Sequence, residues 1–126
     1  MNFFEIDDFL KSVTWLNRTS SIDGEEISYM ITTESYLPDM NDGKPYINEA
    51  RAILLNSHGI RCLELRDMNG CLFARNPVEV SNLTELKAYL DETHRTVIEF
   101  EKRYKIAQVN LKIQKANEDF KWLTKI

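Results

Sequence analysis

The last 46 residues of the chain, 81–126, contain neither glycine nor proline. These are the two residues least compatible with a helix interior, so their absence permits one long helix. Asn82 followed by Glu85 has the spacing of a capping box, which satisfies free N–H groups in the first helical turn. The sequence therefore predicts a helix over about 82–124, roughly 65 Å long at 1.5 Å per residue.

Two apolar rows run along this predicted helix, both with steps of three and four residues. The first row consists of Leu83, Leu86, Leu90, Thr93, Val97, Phe100, Tyr104, Ala107 and Leu111. The second row starts further along the chain, on the opposite side of the helix, and consists of Ile106, Val109, Ile113, Ala116, Phe120 and Leu123. Such spacing is typical of coiled coils and other helix–helix contacts. The polar Thr93 and the bulky Tyr104 favour a short helix–helix interface or a four-helix arrangement over an ideal two-stranded coil.

Two arrangements account for the two rows. A continuous helix would pack on its own domain through one row and on another chain through the other. Alternatively, the helix would fold back near 93–95 or 117–119. The lack of glycine and proline favours continuity. In either case one row is too long for the remaining residues to cover, and uncovered apolar rows mark interaction sites. We expect self-association or partner binding through Leu90, Val97, Phe100, Tyr104, Ile106, Val109, Leu111, Ile113, Phe120 and Leu123.

The segment before the long helix predicts a small α+β domain. Apolar residues at helical spacing, with Asn2 as the N-cap, predict a helix over 3–16. Alternation and β-branched residues predict a strand over 26–34, followed by a loop over 37–45. Pro45, the helix formers that follow it and Gly59 predict a second helix over 46–57. The expected fold is α+β, with two N-terminal helices on a small antiparallel sheet in domain 1–80 and the long helix as a separate element, 81–126.

Asn69-Gly70 predicts a type I′ hairpin turn within 60–76, because both residues accept the backbone conformation that this turn needs. The turn places Met68 opposite Cys71, Arg66 opposite Phe73, Leu65 opposite Ala74, Glu64 opposite Arg75 and Cys62 opposite Pro77. Leu63, Leu65, Leu72 and Ala74 then share the face that is expected to be buried. Cys62 and Cys71 are offset along this hairpin, too far apart for a disulfide.

Composition and charge favour an acidic cytoplasmic protein. The net charge is −4, with 10 acidic and 3 basic residues in 1–49 and 10 acidic and 13 basic residues in 50–126. No apolar run is long enough to cross a membrane, and the N-terminus lacks the features of a secretory signal. Two unpaired cysteines suit a reducing compartment.

Neither a catalytic site nor a metal or cofactor site is expected. His58 is expected in the last turn of the second helix, and His94 on the exposed side of the long helix. Neither histidine has a neighbour in sequence that would complete a metal pair. With only four glycines, few phosphate-binding loops can be built, and no hydrolase motif occurs.

Two hypotheses for function follow. The first is a non-catalytic protein-binding module, an inhibitor, adaptor or chaperone, that forms a homodimer through its C-terminal helix and occludes or presents a partner protein. The alternative is a dimeric nucleic-acid-binding regulator that uses the basic face of that helix. Its phosphate contacts would be made by Arg95, Lys102, Lys105, Lys112 and Lys115.

Overall fold

The computed structural model describes residues 2–35, 46–68 and 70–124. A short helix, α1 (Phe3–Lys11), precedes five strands and a long helix. The strands are β1 (Asn17–Ser20), β2 (Glu26–Ser35), β3 (Tyr46–Asn56), β4 (Gly59–Met68) and β5 (Cys71–Val78), and the helix is α2 (Leu83–Thr124). The predicted loop over 37–45 lies outside the described residues. The α+β class and the long C-terminal helix are confirmed, but the second N-terminal helix is wrong.

The five strands form one antiparallel sheet in which every strand pairs with its neighbours in sequence, in the order β1-β2-β3-β4-β5. The strand predicted over 26–34 is confirmed as β2, and its Ile27, Tyr29 and Ile31 are buried. Both helices pack on the same face of the sheet, because buried residues of α1, α2 and the strands form a single core. That shared core positions α2 along the sheet.

The segment predicted as a second helix is strand β3, paired with β2 along its length. A β-bulge explains the error. Tyr29 pairs with Ile53 and Met30 with Arg51, so Ala52 is left without a partner between them. The bulge moves the buried positions of β3 from Ala50 and Ala52 to Ile53 and Leu55, and this shift hides the alternation expected of a strand. Long-range pairing then prevails over the helix propensity of alanine and leucine.

The residues that were predicted to end the second helix form the turn after β3 and the start of β4 instead. Gly59 does have a positive φ, +137°, but it is the first residue of β4, directly after the tight turn between β3 and β4. The Asn56 side chain accepts a hydrogen bond from the His58 N–H at 2.9 Å, which closes this turn. His58 therefore lies at the tip of a hairpin, not in the last turn of a helix.

Helix α1 begins as predicted but ends five residues early. The Asn2 side chain caps it by accepting a hydrogen bond from the Phe4 N–H at 2.8 Å. After Lys11 the chain turns, and Leu16 still reaches the core. The polar residues that follow form the edge strand β1. Its four residues are all exposed, so no alternation of apolar residues predicts this strand.

The β4–β5 hairpin has the predicted register near its turn, with Met68 opposite Cys71 and Glu64 opposite Arg75. Beyond this point a second irregularity leaves Asn76 unpaired with φ at +56°, so Cys62 faces Val78, and Pro77 faces Leu63. The predicted pairing of Cys62 with Pro77 is thus wrong by one residue. Pro77 is tolerated inside β5 because β5 is an edge strand next to a bulge. Of the four residues expected to be buried, Leu65 and Leu72 are buried, whereas Leu63 and Ala74 are half-buried.

The ladder between β3 and β4 is interrupted, and side chains bridge the gap. Backbone pairing of these strands is confined to Ile53–Asn56 and Gly59–Cys62. Beyond it, the Tyr89 hydroxyl of α2 donates to the Leu63 carbonyl at 2.5 Å and lies 3.3 Å from the carbonyl of Ala52. The Asn48 amide donates to the Leu72 carbonyl at 2.7 Å. Buried polar groups that lack ladder partners are satisfied in this way.

A buried carboxylate, Asp7, joins α1 to the sheet. It accepts two hydrogen bonds from the Arg18 guanidinium, both at 3.1 Å, and one from the Tyr29 hydroxyl, and lies 3.4 Å from the Lys11 Nζ. Burial by itself raises the pKa of Asp7. The hydrogen bonds from Arg18 and Tyr29 and the charge of Arg18 outweigh burial, so the pKa of Asp7 lies below its ordinary value of 3.8. Burial and the adjacent carboxylate raise the pKa of Tyr29.

We expect Asp7→Asn to lower the free energy of unfolding at neutral pH by about 2–3 kcal/mol, because charge-assisted hydrogen bonds are lost in a buried site. A carboxylate with a depressed folded-state pKa stabilises the fold above its unfolded pKa, and this contribution is lost as the pH falls through the folded pKa. The deficit of Asp7→Asn in urea unfolding should therefore shrink below about pH 4. Asp8→Asn, at an exposed neighbour, is the control; an equal deficit for both variants would contradict this account.

Gly70 has φ at +84°, a conformation that β-branched residues rarely adopt. Gly70→Val should lower the free energy of unfolding by about 1–2 kcal/mol, the cost of a left-handed backbone for a side chain with a Cβ. Gly70→Asn, which tolerates this conformation better, should cost less than Gly70→Val. Equal melting temperatures for wild type and Gly70→Val would show that the turn does not depend on this glycine.

Candidate partner-binding surface

Helix α2 is continuous over Leu83–Thr124, which confirms the continuous alternative. Its start has the predicted cap. The Asn82 side chain accepts a hydrogen bond from the Glu85 N–H at 2.8 Å, and the Glu85 carboxylate accepts one from the Ser81 N–H at 3.2 Å. No break occurs near 93–95 or 117–119, the two positions where a fold-back was considered.

The first row of α2 packs on the protein's own sheet from Leu86 to Phe100. Leu86 is fully buried and Phe100 is 2% exposed, and both belong to the single core. Leu90 and Val97 lie between them in the same core. Leu90, Val97 and Phe100, which were predicted to contact another chain, are thus buried in the protein's own core and leave little surface for such a contact. Leu83, at the start of the row, is exposed.

The helix passes the end of the sheet near Tyr104. The Tyr104 hydroxyl accepts a hydrogen bond from the Gln108 side chain at 2.8 Å, and burial together with the nearby Glu34 carboxylate raises the pKa of Tyr104. Arg103 Nη2 lies 3.3 Å from Asp67 Oδ2 at the tip of the β4–β5 hairpin. Past this point Ala107 is exposed and Leu111 is half-buried. The residues of the first row are therefore less buried after Tyr104 than before it.

The second row lies on the side of α2 that faces away from the sheet, and its side chains are exposed. The exposed fractions are 61% for Ile106, 54% for Val109, 54% for Ile113 and 65% for Phe120. Ala116 is exposed as well, and the side chain of Leu123 lies outside the described residues. Ile98, 40% exposed, lies on the same side two turns before Ile106. Ile98 was not among the predicted surface residues, and Lys102 stands between it and Ile106 at the spacing of the row.

Basic residues flank the second row along one side. Lys102, Lys105, Lys112 and Lys115 are exposed. Arg95, grouped with them in the sequence, forms an ion pair with Glu92 on its own helix at 3.1 Å. The four lysines thus make a narrow basic strip, and Arg95 lies two turns away from its first member.

Two aromatic residues of the N-terminal segment have different environments. Phe4 is 73% exposed. Trp15 is half-buried and stacks on the ring of His94, with ring centres 4.8 Å apart and planes 4° from parallel. His94 is consequently half-buried, not on an exposed side as expected, and it packs against the segment between α1 and β1.

The described residues contain no group of three or more histidine, cysteine, aspartate or glutamate side chains arranged to hold a metal ion. Both cysteines are free and buried, and burial raises the pKa of the Cys62 thiol to about 12. A thiol in that environment is a poor nucleophile at neutral pH. Within the described part of the chain, no helix combines the length and apolar character that a membrane span requires.

The chain was compared with family models, curated proteins and solved structures, and none of them matches it. The assignment of a function therefore depends on the surface of α2 and on the chemistry of its exposed residues.

Replacement of one residue from each row should separate their roles. Phe100→Ala should lower the free energy of unfolding by about 3–5 kcal/mol, since a buried aromatic ring is removed from the core. Ile106→Ala should change it by less than about 0.5 kcal/mol when measured at a dilution where chains do not associate. Urea unfolding monitored by circular dichroism checks both values; similar losses would mean that both rows belong to one core.

Proposed function

We propose that this protein is a non-catalytic protein-binding module that self-associates through its C-terminal helix and occludes or presents a partner protein. The observation that carries the proposal is the exposed second row, in which Ile106, Val109 and Ile113 are each more than half exposed. They form a contiguous apolar strip on successive turns. Contiguous strips of this kind, unlike scattered apolar residues, mark interaction surfaces.

Energetics favour a partner on this strip. Full burial of an isoleucine or valine side chain contributes about 1.5–3 kcal/mol, an upper bound for residues that are already partly covered by their own helix. Every residue of α2 from Lys112 to Lys121 is exposed, a stretch of about 15 Å. Helical stability in proteins comes mostly from packing of an apolar face, so a second helix laid on this row would stabilise this stretch.

The folded domain offers further surface to a partner protein. Phe4 projects into solvent from α1 beside the acidic Glu5 and Asp8, within the acidic N-terminal third of the chain. Edge strand β1 exposes only polar side chains, which suits a face that does not aggregate. A dimer built on α2 would present two copies of these features. The two free, buried cysteines favour a reducing compartment such as the cytoplasm.

A dimeric nucleic-acid-binding regulator is the second candidate, supported by the four exposed lysines of the basic strip. Phosphate contacts would make binding fall steeply with salt. Glu99, Glu101 and Glu118 are exposed on the same helix and oppose such contacts, so the surface of α2 favours protein binding over nucleic-acid binding.

Self-association can be tested with Ile113→Asp. A charge on the second row should be excluded from an apolar interface, so the solution mass should fall from about twice the 14.8 kDa chain to a single chain. Light scattering on a sizing column measures this mass. Gln114→Asp adds the same charge one residue away, outside the row, and should leave the mass of the wild type. A monomeric wild type, or an unchanged mass for Ile113→Asp, would contradict the proposal.

A further inference from the structure

We propose that two copies of the chain pair antiparallel through the second row, with Lys112 of each copy opposite Asp119 of the other. This inference rests on the proposed self-association and adds its orientation and register. The row is suited to a second helix because it lies on the side of α2 that faces away from the sheet. A partner helix can therefore run along it toward the domain without meeting the strands.

The order of residues in the row favours the antiparallel orientation. Taken as its own heptad, the row has Ile106, Ile113 and Phe120 at one core position and Val109, Ala116 and Leu123 at the other. In an antiparallel pair the two kinds of position meet, so Ile113 lies level with Ala116 of the partner subunit and Val109 with Phe120 of the partner subunit. A larger side chain then meets a smaller one in these two layers, and in the third layer position 106 is level with position 123 of the partner subunit.

A parallel pair would match each residue with its own copy. Ala116 would meet Ala116 of the partner subunit and leave a gap, while Phe120 would meet Phe120 of the partner subunit and crowd the next layer. Close-packed interfaces disfavour both arrangements, since gaps and overpacking each reduce stability.

The charges beside the row also favour the antiparallel orientation. One flank carries Lys105, Lys112 and Asp119, and the other carries Asn110 and Asn117. An antiparallel pair joins like flanks. In the register above, Lys112 comes beside Asp119 of the partner subunit and Asn110 beside Asn117 of the partner subunit, each twice by symmetry. A parallel pair joins unlike flanks, so Lys112 would meet Asn117 of the partner subunit and no opposite charges would be matched.

Lys112 and Asp119 are two helical turns apart on one chain, about 10 Å along the axis, which is too far for them to pair with each other. A contact between Lys112 and Asp119 therefore requires a second helix, whereas Lys115, four residues from Asp119, can pair with it on the same helix. Such complementarity fixes orientation and register more than affinity.

Cross-linking tests the orientation. Ile113→Cys and Ala116→Cys are prepared as separate proteins; the native cysteines are buried. Under mild oxidation, the antiparallel register predicts a disulfide-linked dimer only when the two variants are mixed, because position 113 meets position 116 of the partner subunit. Linked dimers in either variant alone would indicate a parallel pair and overturn the orientation while leaving self-association intact. A dimer by light scattering with no cross-link in any sample would overturn the register. A monomer by light scattering would overturn both this inference and the proposed function.

Charge reversal tests the pairing itself at low salt. Lys112→Glu should raise the dimer dissociation constant about tenfold, because two attractive contacts become repulsive. Combining it with Asp119→Lys should restore the dissociation constant to within about threefold of wild type. Lys102→Glu makes the same charge change at an exposed position that the partner helix does not reach in this register, and it serves as the matched control. Equal weakening by Lys112→Glu and Lys102→Glu, or no restoration by the double variant, would overturn the pairing.

Discussion

The architecture depends on the difference in length between helix α2 and the strands of the sheet. Helix α2 has 42 residues, about 63 Å, whereas the longest strand, β3, has 11 residues, about 36 Å. Only the first half of the helix can therefore lie on the sheet. The apolar pattern follows this division, since the first row is continuous where the sheet is present and the second row begins near where the sheet ends. A single helix thus serves as a core element over one part and as an exposed surface over the other.

Polar contacts hold the helices to a sheet that is itself irregular. Asp7 links α1 to β1 and β2 through Arg18 and Tyr29, and Tyr89 of α2 reaches backbone carbonyls beside the interrupted β3–β4 ladder. Both sites are buried, so each group needs its partner to avoid an unsatisfied polar atom. One buried polar atom of the described residues, the hydroxyl oxygen of Thr33, has no hydrogen-bond partner. These contacts specify how the helices dock, while the apolar core supplies most of the stabilisation.

Features that depend on residues close together in the sequence could be predicted from the sequence. The caps at Asn2 and Asn82, the strand β2 and the register around Gly70 were all readable from a few neighbouring residues. The helix assigned to 46–57 was wrong because the bulge at Ala52 disrupts a period that only pairing with β2 reveals. Strand β1 could not be predicted, since its four polar residues owe their conformation to the neighbouring strand.

The same limit applies to the candidate surface. Spacing alone identified both rows of α2, but it could not say which residues the sheet would cover. Val97 and Phe100 look like interface residues in the sequence, and the structure places them in the core. Whether an apolar row is internal or external depends on the position of the sheet, which is a property of the whole chain.

The interrupted ladder between β3 and β4 has a consequence for local opening. Backbone hydrogen bonds join these strands only near their shared turn, so the far part of the β4–β5 hairpin is held mainly by side chains, among them Tyr89. The hairpin tip should therefore open more readily than β2 and β3, which pair with each other along most of their length. Arg103 of α2 contacts Asp67 at this tip, so a partner bound to α2 beside Arg103 would be coupled to opening of the hairpin. Binding of a partner to the exposed part of α2 would in that case slow the hydrogen exchange of the hairpin amides, so both measurements would report on the same opening equilibrium.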